Sequence, residues 1–379
     1  MSLRSTIHVL RMFAPMVGRL PAGHLWYLWR RMHNEKPHRF AGRTRINTFF
    51  PPHPSAAFDR FCEAIVARRR VPFSTYLAVT HACPYRCEHC SSAGRIGGPE
   101  LSREELLDLV AQIKALGTGT LGFTGGEPML RDELPELVAA GVDCVTVGME
   151  SADRAAHDAA RGVAGSFAEA ERAVAVCRGA GIYTAISTVA TRRRLDDGQL
   201  ERLFELGSRW GVGEFRVLAP VATGRQVGCT AFMLDADERR RLAEFHVRHN
   251  RRRGGPAVAC FAYLESPELF GCGAGFHHLY IDATGNVCPC DLTPAGFGTV
   301  RDEPLAAIWG RMASHFPLPR RACLMHTLAG RLAGEPLPLS PDRSEALLPP
   351  RDPAETLPEG YRRLRIPAAV DPPSPRRRQ

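Results

Sequence analysis

The run Thr75-Tyr76-Leu77-Ala78-Val79-Thr80-His81-Ala82-Cys83-Pro84-Tyr85-Arg86-Cys87-Glu88-His89-Cys90 joins a short apolar strand to a loop with cysteines spaced C-x3-C-x2-C. The same strand-then-loop pattern continues outward from it. Ser102-x-x-Glu105 reads as a capping box opening a helix with Leu106, Leu107, Val110 and Ile113 on one face. Thr120–Thr124 reads as a strand running into Gly125-Gly126, Arg131–Ala140 as a helix and Asp143–Gly148 as a strand. A second box, Ser166-x-x-Glu169, opens a helix toward Gly179 and Gly181. Ile182–Ala190 then reads as a strand, Gln199–Trp210 as a helix and Glu214–Leu218 as a strand. Strands alternating with helices give right-handed βαβ units around a parallel sheet. The expected class is α/β, a partial (βα)6 TIM-like barrel with a small Cys-rich C-terminal β-hairpin/helix extension. Reactive residues belong in loops at the C-terminal ends of the strands.

The cysteine loop follows the first strand, where such a barrel carries its chemistry. Three thiolates at this spacing hold one face of an iron–sulfur cluster and leave one iron open to a substrate or cofactor. A zinc knuckle or three buried thiols are the alternatives; structural zinc normally closes its site with four ligands, and no fourth cysteine lies nearby. The next strand ends in Phe123-Thr124-Gly125-Gly126-Glu127-Pro128. Glycines there let the backbone approach a ligand, and Glu127 with the local carbonyls accepts hydrogen bonds from an ammonium group.

With these two motifs the sequence resembles the radical S-adenosylmethionine (SAM) superfamily over about residues 73–265. Cys83, Cys87 and Cys90 match its cluster motif, with His89 where the family often has an aromatic residue, and Gly125, Gly126 and Glu127 match its SAM-amine motif. The resemblance implies a 4Fe–4S cluster whose open iron is chelated by SAM, whose one-electron reduction yields a 5′-deoxyadenosyl radical that abstracts a substrate hydrogen. It further implies SAM contacts from the strand end Gly148-Met149-Glu150-Ser151, Glu150 among them, from Ser187, and from Arg161 in the run His157-Asp158-Ala159-Ala160-Arg161-Gly162; a helix cap or a surface polar residue is the alternative for each. No D-x-H-x-x-G cobalamin motif is present.

Downstream, Cys272, Gly285 and Cys290 are spaced C-x12-G-x4-C, which matches the SPASM and twitch extensions of radical SAM enzymes. Ile281–Val287 reads as a hairpin with Thr-Gly-Asn at its turn, which brings Cys272 and Cys290 together. Phe297-Gly298-Thr299-Val300, Leu305–Trp309 and Cys323 resemble the closing part of such an extension. A full two-cluster extension needs about seven cysteines by that resemblance. The expectation is therefore a single auxiliary 4Fe–4S cluster on Cys272, Cys290 and Cys323, with Cys288 as fourth ligand and Cys260, His326 or an open iron as rivals. A zinc site on the same residues is the alternative.

The chain divides into a basic N-terminal helical extension (1–72), the core barrel (73–265), the auxiliary-cluster segment (266–332) and a Pro-rich tail (333–379) expected to be disordered. Residues 1–75 carry 13 Lys/Arg against 3 Asp/Glu, whereas the whole chain is only +9. That zone is expected to pack as helices with a solvated basic face. A docking surface for an acidic flavodoxin or ferredoxin electron donor is its second reading, and membrane contact a third that Pro15 and Pro21 disfavour. No nucleic-acid motif accompanies the charge. No apolar stretch is long enough to span a membrane and no signal peptide is legible, so a reducing cytoplasm is expected, in which twelve cysteines serve metals rather than disulfides. The functional expectation is a radical SAM oxidoreductase acting on a small metabolite or a peptide in biosynthesis. The competing one is a non-catalytic zinc-binding interaction protein.

Overall fold

The computed structural model describes residues 3–95, 97–131, 142–352 and 354–365. Six strands alternate with helices: β1 (Ser74–Thr80), β2 (Thr120–Gly125), β3 (Cys144–Gly148), β4 (Tyr183–Val189), β5 (Glu214–Leu218) and β6 (Ala257–Cys260). The Cys-rich segment adds β7 (His278–Ile281) and β8 (Val287–Cys288). The strands form two four-stranded sheets, β8-β7-β1-β2 and β3-β4-β5-β6. Within these two sheets, among the described residues, only the β7–β8 pair is antiparallel, so the barrel strands keep one direction and all their C-terminal ends open on one rim. The architecture is thus a partial barrel with the hairpin added beside β1. The expected helix Arg131–Ala140 lies outside the described residues apart from Arg131.

Local chemistry sets the helix starts. The Ser102 hydroxyl accepts the Glu105 N–H at 3.2 Å while the Ser102 N–H donates to the Glu105 carboxylate at 2.6 Å, so the first capping box forms. The second does not. Asp158 takes the cap by accepting from the N–H groups of Gly165 and Phe167 at 2.7 and 2.8 Å, and from the Ser166 hydroxyl at 2.9 Å. A carboxylate already in place outcompetes the Ser166/Glu169 pair for the orphan donors.

Period-two alternation divides each strand between core and lumen. Leu77 and Val79 of β1, with Leu279, Ile281 and Val287 of the hairpin, pack against Leu106, Leu109 and Ile113 of the helix Arg103–Ala115. Phe215, Val217 and Val258 pack against Leu203, Phe204, Leu242 and Phe245 on the other arc. Each such side chain contributes about 1.5–3 kcal/mol of burial. The residues between them, Tyr76, Ser187 and Arg216, are left for the lumen.

The N-terminal helices Leu3–Phe13, Ala22–Met32 and Ala56–Val66 share a core of Val9, Met12, Met16, Met32, Phe58 and Cys62. A small hairpin, His38–Phe40 with Arg43–Arg45, was not legible among them. The expected disordered tail is corrected for its described part. Leu337 and Leu339 are buried and bridge to Arg95 and Ala295, Leu348 joins the main core, and Leu364 closes the N-terminal cluster. Its frequent prolines leave less backbone entropy to lose, so a few leucines suffice to anchor it.

Candidate active site

The cysteine loop leaves β1 at the rim and is held from three sides. Glu100 accepts from the Thr80 hydroxyl at 3.0 Å and from the His81 N–H at 2.7 Å, and Arg131 pairs with Glu100 at 3.2 Å. From the loop after β5, Arg225 donates its Nε to the Cys87 carbonyl at 3.0 Å and its N–H to the Cys90 carbonyl at 2.9 Å, while Gln226 donates to the Glu88 carbonyl at 3.0 Å. Behind the loop the Arg86 N–H donates to the Arg161 carbonyl at 2.8 Å. The thiols of Cys83, Cys87 and Cys90 converge within electrostatic reach of one another, and none is in a disulfide. Burial pushes the Cys83 and Cys87 thiols up. Cys83 is exposed and Cys87 and Cys90 are half-buried, so three unpaired thiols in a clamped loop at the open rim fit an iron–sulfur group, which binds the thiolates and displaces their protons.

The glycines of β2 meet this loop. A Cβ on Gly126 would lie 2.0 Å from the Ala82 carbonyl oxygen, and one on Gly125, at φ +136°, 2.3 Å from that of Thr80. Their first reason for being glycine is therefore close approach to the cysteine loop rather than to a ligand. The Gly126 and Glu127 N–H groups lock the approach by donating to Thr80 and Ala82 carbonyls at 2.7 and 2.8 Å. One Glu127 carboxylate oxygen accepts the Met129 N–H at 3.2 Å, and the side chain stands close enough to Cys83 to raise its pKa.

Glu150 and Ser187 occupy different settings. Ser187 lies in β4 beside Gly148 of β3 and lines the cavity at the rim. Glu150 is only 4% exposed and is ringed by Arg194 at 2.7 Å, Arg161 at 3.3 Å and His89 at 3.5 Å. Burial pushes its carboxyl up, but His89, Arg194 and Arg161 together outweigh burial and hold it below the usual carboxylate range. Among the described residues Glu150 therefore forms a buried ion-pair hub that orients Arg161. The Arg161 guanidinium in turn lies over Gly148, where a Cβ would meet it at 2.3 Å.

The downstream cysteines separate into two places. Cys272, Cys290 and Cys323 converge on one wall of the cavity. Their sulfurs collect backbone N–H groups: Ala274 and Leu324 on Cys272, Met325 on Cys323, and Leu292 on Cys290 at 3.4 Å. The Cys323 thiol hydrogen-bonds to Cys272 and holds the latter's thiol below its usual range. N–H groups aimed at sulfur are what thiolate ligands of a cluster need. The hairpin assists as expected: Asp282 accepts from Thr284 and Asn286 N–H groups, both at 2.9 Å, and Gly285 turns at φ +96°. Cys288 does not join. It is fully buried with Ala78, Tyr280 and Ala283, and its charged neighbours are Arg95 and Asp282. His326 is taken by Arg239 at 2.9 Å.

Three participants escaped the sequence reading. Arg216 reaches across the lumen from β5 to the Tyr76 hydroxyl at 3.1 Å, and its buried Nε has no partner among the described residues. His278 stacks edge-on against Tyr76 at 5.1 Å and pairs with Asp291 at 3.2 Å. Glu265 lines the cavity beside the three downstream thiols. Barrel alternation was the available signal for Arg216; nothing local marks Glu265.

Comparison with known proteins agrees with this geometry. The radical SAM superfamily model matches residues 77–140, and that of SPASM, an iron–sulfur cluster-binding domain, matches residues 272–321. An AdoMet-dependent heme synthase of Nitratidesulfovibrio vulgaris is 27% identical over 290 residues, covering 63% of this chain and 78% of the relative. A PqqA peptide cyclase of Granulibacter bethesdensis is 25% identical over 299 residues, covering 66% and 79%. Streptococcus suis SuiB bound to S-adenosylmethionine shares the fold at a TM-score of 0.52 and 16% identity, over 66% of this chain and 70% of that one. The cofactors are accordingly SAM, its 4Fe–4S cluster and an auxiliary iron–sulfur cluster, and a non-catalytic zinc protein is set aside. Among the described residues no helix is long and apolar enough to cross a membrane. Two thiol trios, each held by the fold at a barrel rim or wall, and two matching family models lead to one conclusion: the chain carries a radical SAM domain and a SPASM domain and is a radical SAM enzyme.

Proposed function

We propose that this enzyme oxidises, or forms a bond in, a carboxylate-bearing small metabolite or peptide held in the barrel between the two cluster sites. The observation that carries the reading is one continuous cavity that runs from Glu127, Gly148 and Ser187 to Cys272, Cys290 and Cys323. When bound, the cofactors supply a 5′-deoxyadenosyl radical for hydrogen abstraction and a nearby acceptor for the electron the substrate loses. The protein's own residues bind and orient. Cys83, Cys87 and Cys90 hold the SAM cluster, and Cys272, Cys290 and Cys323 the auxiliary one. Glu127 with the carbonyls of the Gly125-Gly126 turn accepts the SAM ammonium. Arg161, aimed by its ion pair with Glu150, faces the SAM side of the rim, with Ser187 beside it.

Arg216 and Tyr76 stand in the lumen with a free guanidinium Nε. An anionic oxygen of the substrate satisfies that donor, since a buried unpaired guanidinium N–H is costly. Relatives named for heme synthesis and for cyclising the PqqA peptide make both metabolite and peptide substrates reasonable. The electron comes from a flavodoxin or ferredoxin in a cytoplasmic setting.

The test is anaerobic incubation of the reconstituted enzyme with SAM, reductant and fractionated host metabolites. A substrate fraction stimulates 5′-deoxyadenosine formation, and a deuterated substrate places deuterium in it. Arg216→Gln then raises the KM for substrate and leaves substrate-independent SAM cleavage unchanged. Stimulation equal in both proteins contradicts the assignment of Arg216.

A further inference from the structure

The auxiliary site has three thiols and a fourth position to account for. The cysteine expected there, Cys288, lies elsewhere with Arg95, and His326 is bound to Arg239. Cys260 is fully buried in the core cluster of the second arc, with the backbone N–H groups of Ala262 and Tyr263 on its sulfur. Two carboxylates remain. Asp291 is already engaged, paired with His278 at 3.2 Å and accepting the Cys290 thiol at 3.3 Å.

Glu265 differs. It follows the short helix Phe261–Leu264 that closes β6, where its N–H donates to the Phe261 carbonyl at 2.8 Å and fixes the backbone. Its side chain lines the same cavity as Cys272, Cys290 and Cys323 and lies within electrostatic reach of all three thiols. Glu265 is half-buried at the cavity, and its carboxyl has the charges of Cys272 and Asp291 beside it but no hydrogen bond or ion pair with a described residue. A carboxylate set among thiols without a compensating donor is unfavourable in a metal-free protein and favourable once a cation is present.

We propose that Glu265 supplies the fourth ligand of the auxiliary cluster, closing on the iron that Cys272, Cys290 and Cys323 leave open. The inference rests on the auxiliary-cluster reading above. A carboxylate is a harder ligand than thiolate, so this iron is the most readily exchanged one of the cluster. The site is thereby shielded at rest and still able to yield to a substrate donor.

The test uses the full-length chain with Cys83, Cys87 and Cys90 changed to Ala, so that only the downstream cluster remains. This parent, and the same protein with Glu265→Gln, Glu265→Cys or Asp291→Asn, are reconstituted anaerobically with ferrous iron and sulfide. Iron content, Mössbauer spectra, and EPR after mild ferricyanide oxidation are read. The parent, Glu265→Cys and Asp291→Asn are expected to keep a 4Fe–4S cluster. Glu265→Gln is expected to lose about a quarter of its iron on oxidation and to show a 3Fe–4S signal. Rescue by cysteine separates ligation from a folding defect. Identical iron content and oxidation behaviour in Glu265→Gln and the parent overturn the proposal, as does a 3Fe–4S signal confined to Asp291→Asn. A parent that binds no iron overturns the auxiliary-cluster reading itself, and this proposal with it.

Discussion

Gly126 sits so close to Ala82 that a Cβ on the glycine would lie 2.0 Å from the alanine's carbonyl oxygen. The end of β2 and the cysteine loop after β1 are therefore built against each other, and the Gly125-Gly126 turn positions the cysteine loop. Gly126→Ala forces the two apart at a cost of about 1–3 kcal/mol. It is expected to lower both upstream iron content and SAM cleavage. Glu127→Ala is expected to keep the iron and weaken SAM binding about ten- to hundred-fold, as loss of a charge-assisted hydrogen bond does. Iron assay and SAM titration on the two variants check the contrast.

Two thiol trios mean two clusters. The wild type is expected to hold about eight irons per chain, and the Cys83, Cys87, Cys90 triple alanine variant roughly half of that. Iron and sulfide analysis after anaerobic reconstitution checks both values. About four irons in the wild type and none in the variant would leave the downstream trio without a cluster.

The Glu150 hub carries a pH dependence through His157. This ring is 1% exposed and accepts the Glu150 N–H at 3.1 Å; burial first, then Arg161, lower its pKa to about 4. The unfolded chain takes up the proton near the ordinary value, so the contribution is present above it and lost as pH falls toward the folded one. From about pH 7 to about pH 5 the fold should lose about 2 kcal/mol through this group. Thermal melts of metal-free protein check it, and His157→Gln should flatten the slope. An unchanged slope in that variant would contradict the assignment.

The basic N-terminal zone needs a sharper docking test than its charge suggests. Arg70 is not a surface cation: it donates to the Gly275 and Trp309 carbonyls, both at 2.8 Å, and lies 3.6 Å from the Trp309 ring centre. Arg68 donates to the Leu364 carbonyl at 3.0 Å. Arg70→Gln is therefore expected to lower the melting temperature. Arg11, Arg19 and Arg30 are exposed. If a flavodoxin docks on this face, changing those three to Gln slows flavodoxin-driven SAM cleavage in a salt-dependent way and leaves dithionite-driven cleavage unchanged. Equal rates with both reductants would leave the zone a packing element only.

The barrel was legible because its signals are local. β5 and the helix Gln199–Trp210 carry their own periodicity, and the cysteine and glycine motifs sit at strand ends. What was not legible is what depends on distant partners. Asp158 takes over the cap from Ser166 because the preceding helix delivers it there. Cys288 fits the spacing of a ligand, but β8 places it against Tyr280, away from Cys290. The tail folds because Leu337, Leu339 and Leu364 find gaps in cores built by other segments. Glu265 carries no motif; only its place at the end of β6 sets it among thiols.

SAM cleavage is expected to depend on a cluster held by Cys83, Cys87 and Cys90. Its most direct measurement is 5′-deoxyadenosine formed anaerobically by the reduced, reconstituted wild type and by Cys87→Ala, each with its iron content. The wild type is expected to form 5′-deoxyadenosine and methionine, and the variant none while it retains the auxiliary iron. Substantial 5′-deoxyadenosine from Cys87→Ala, or a colourless zinc-bearing wild type that forms none, would contradict the account.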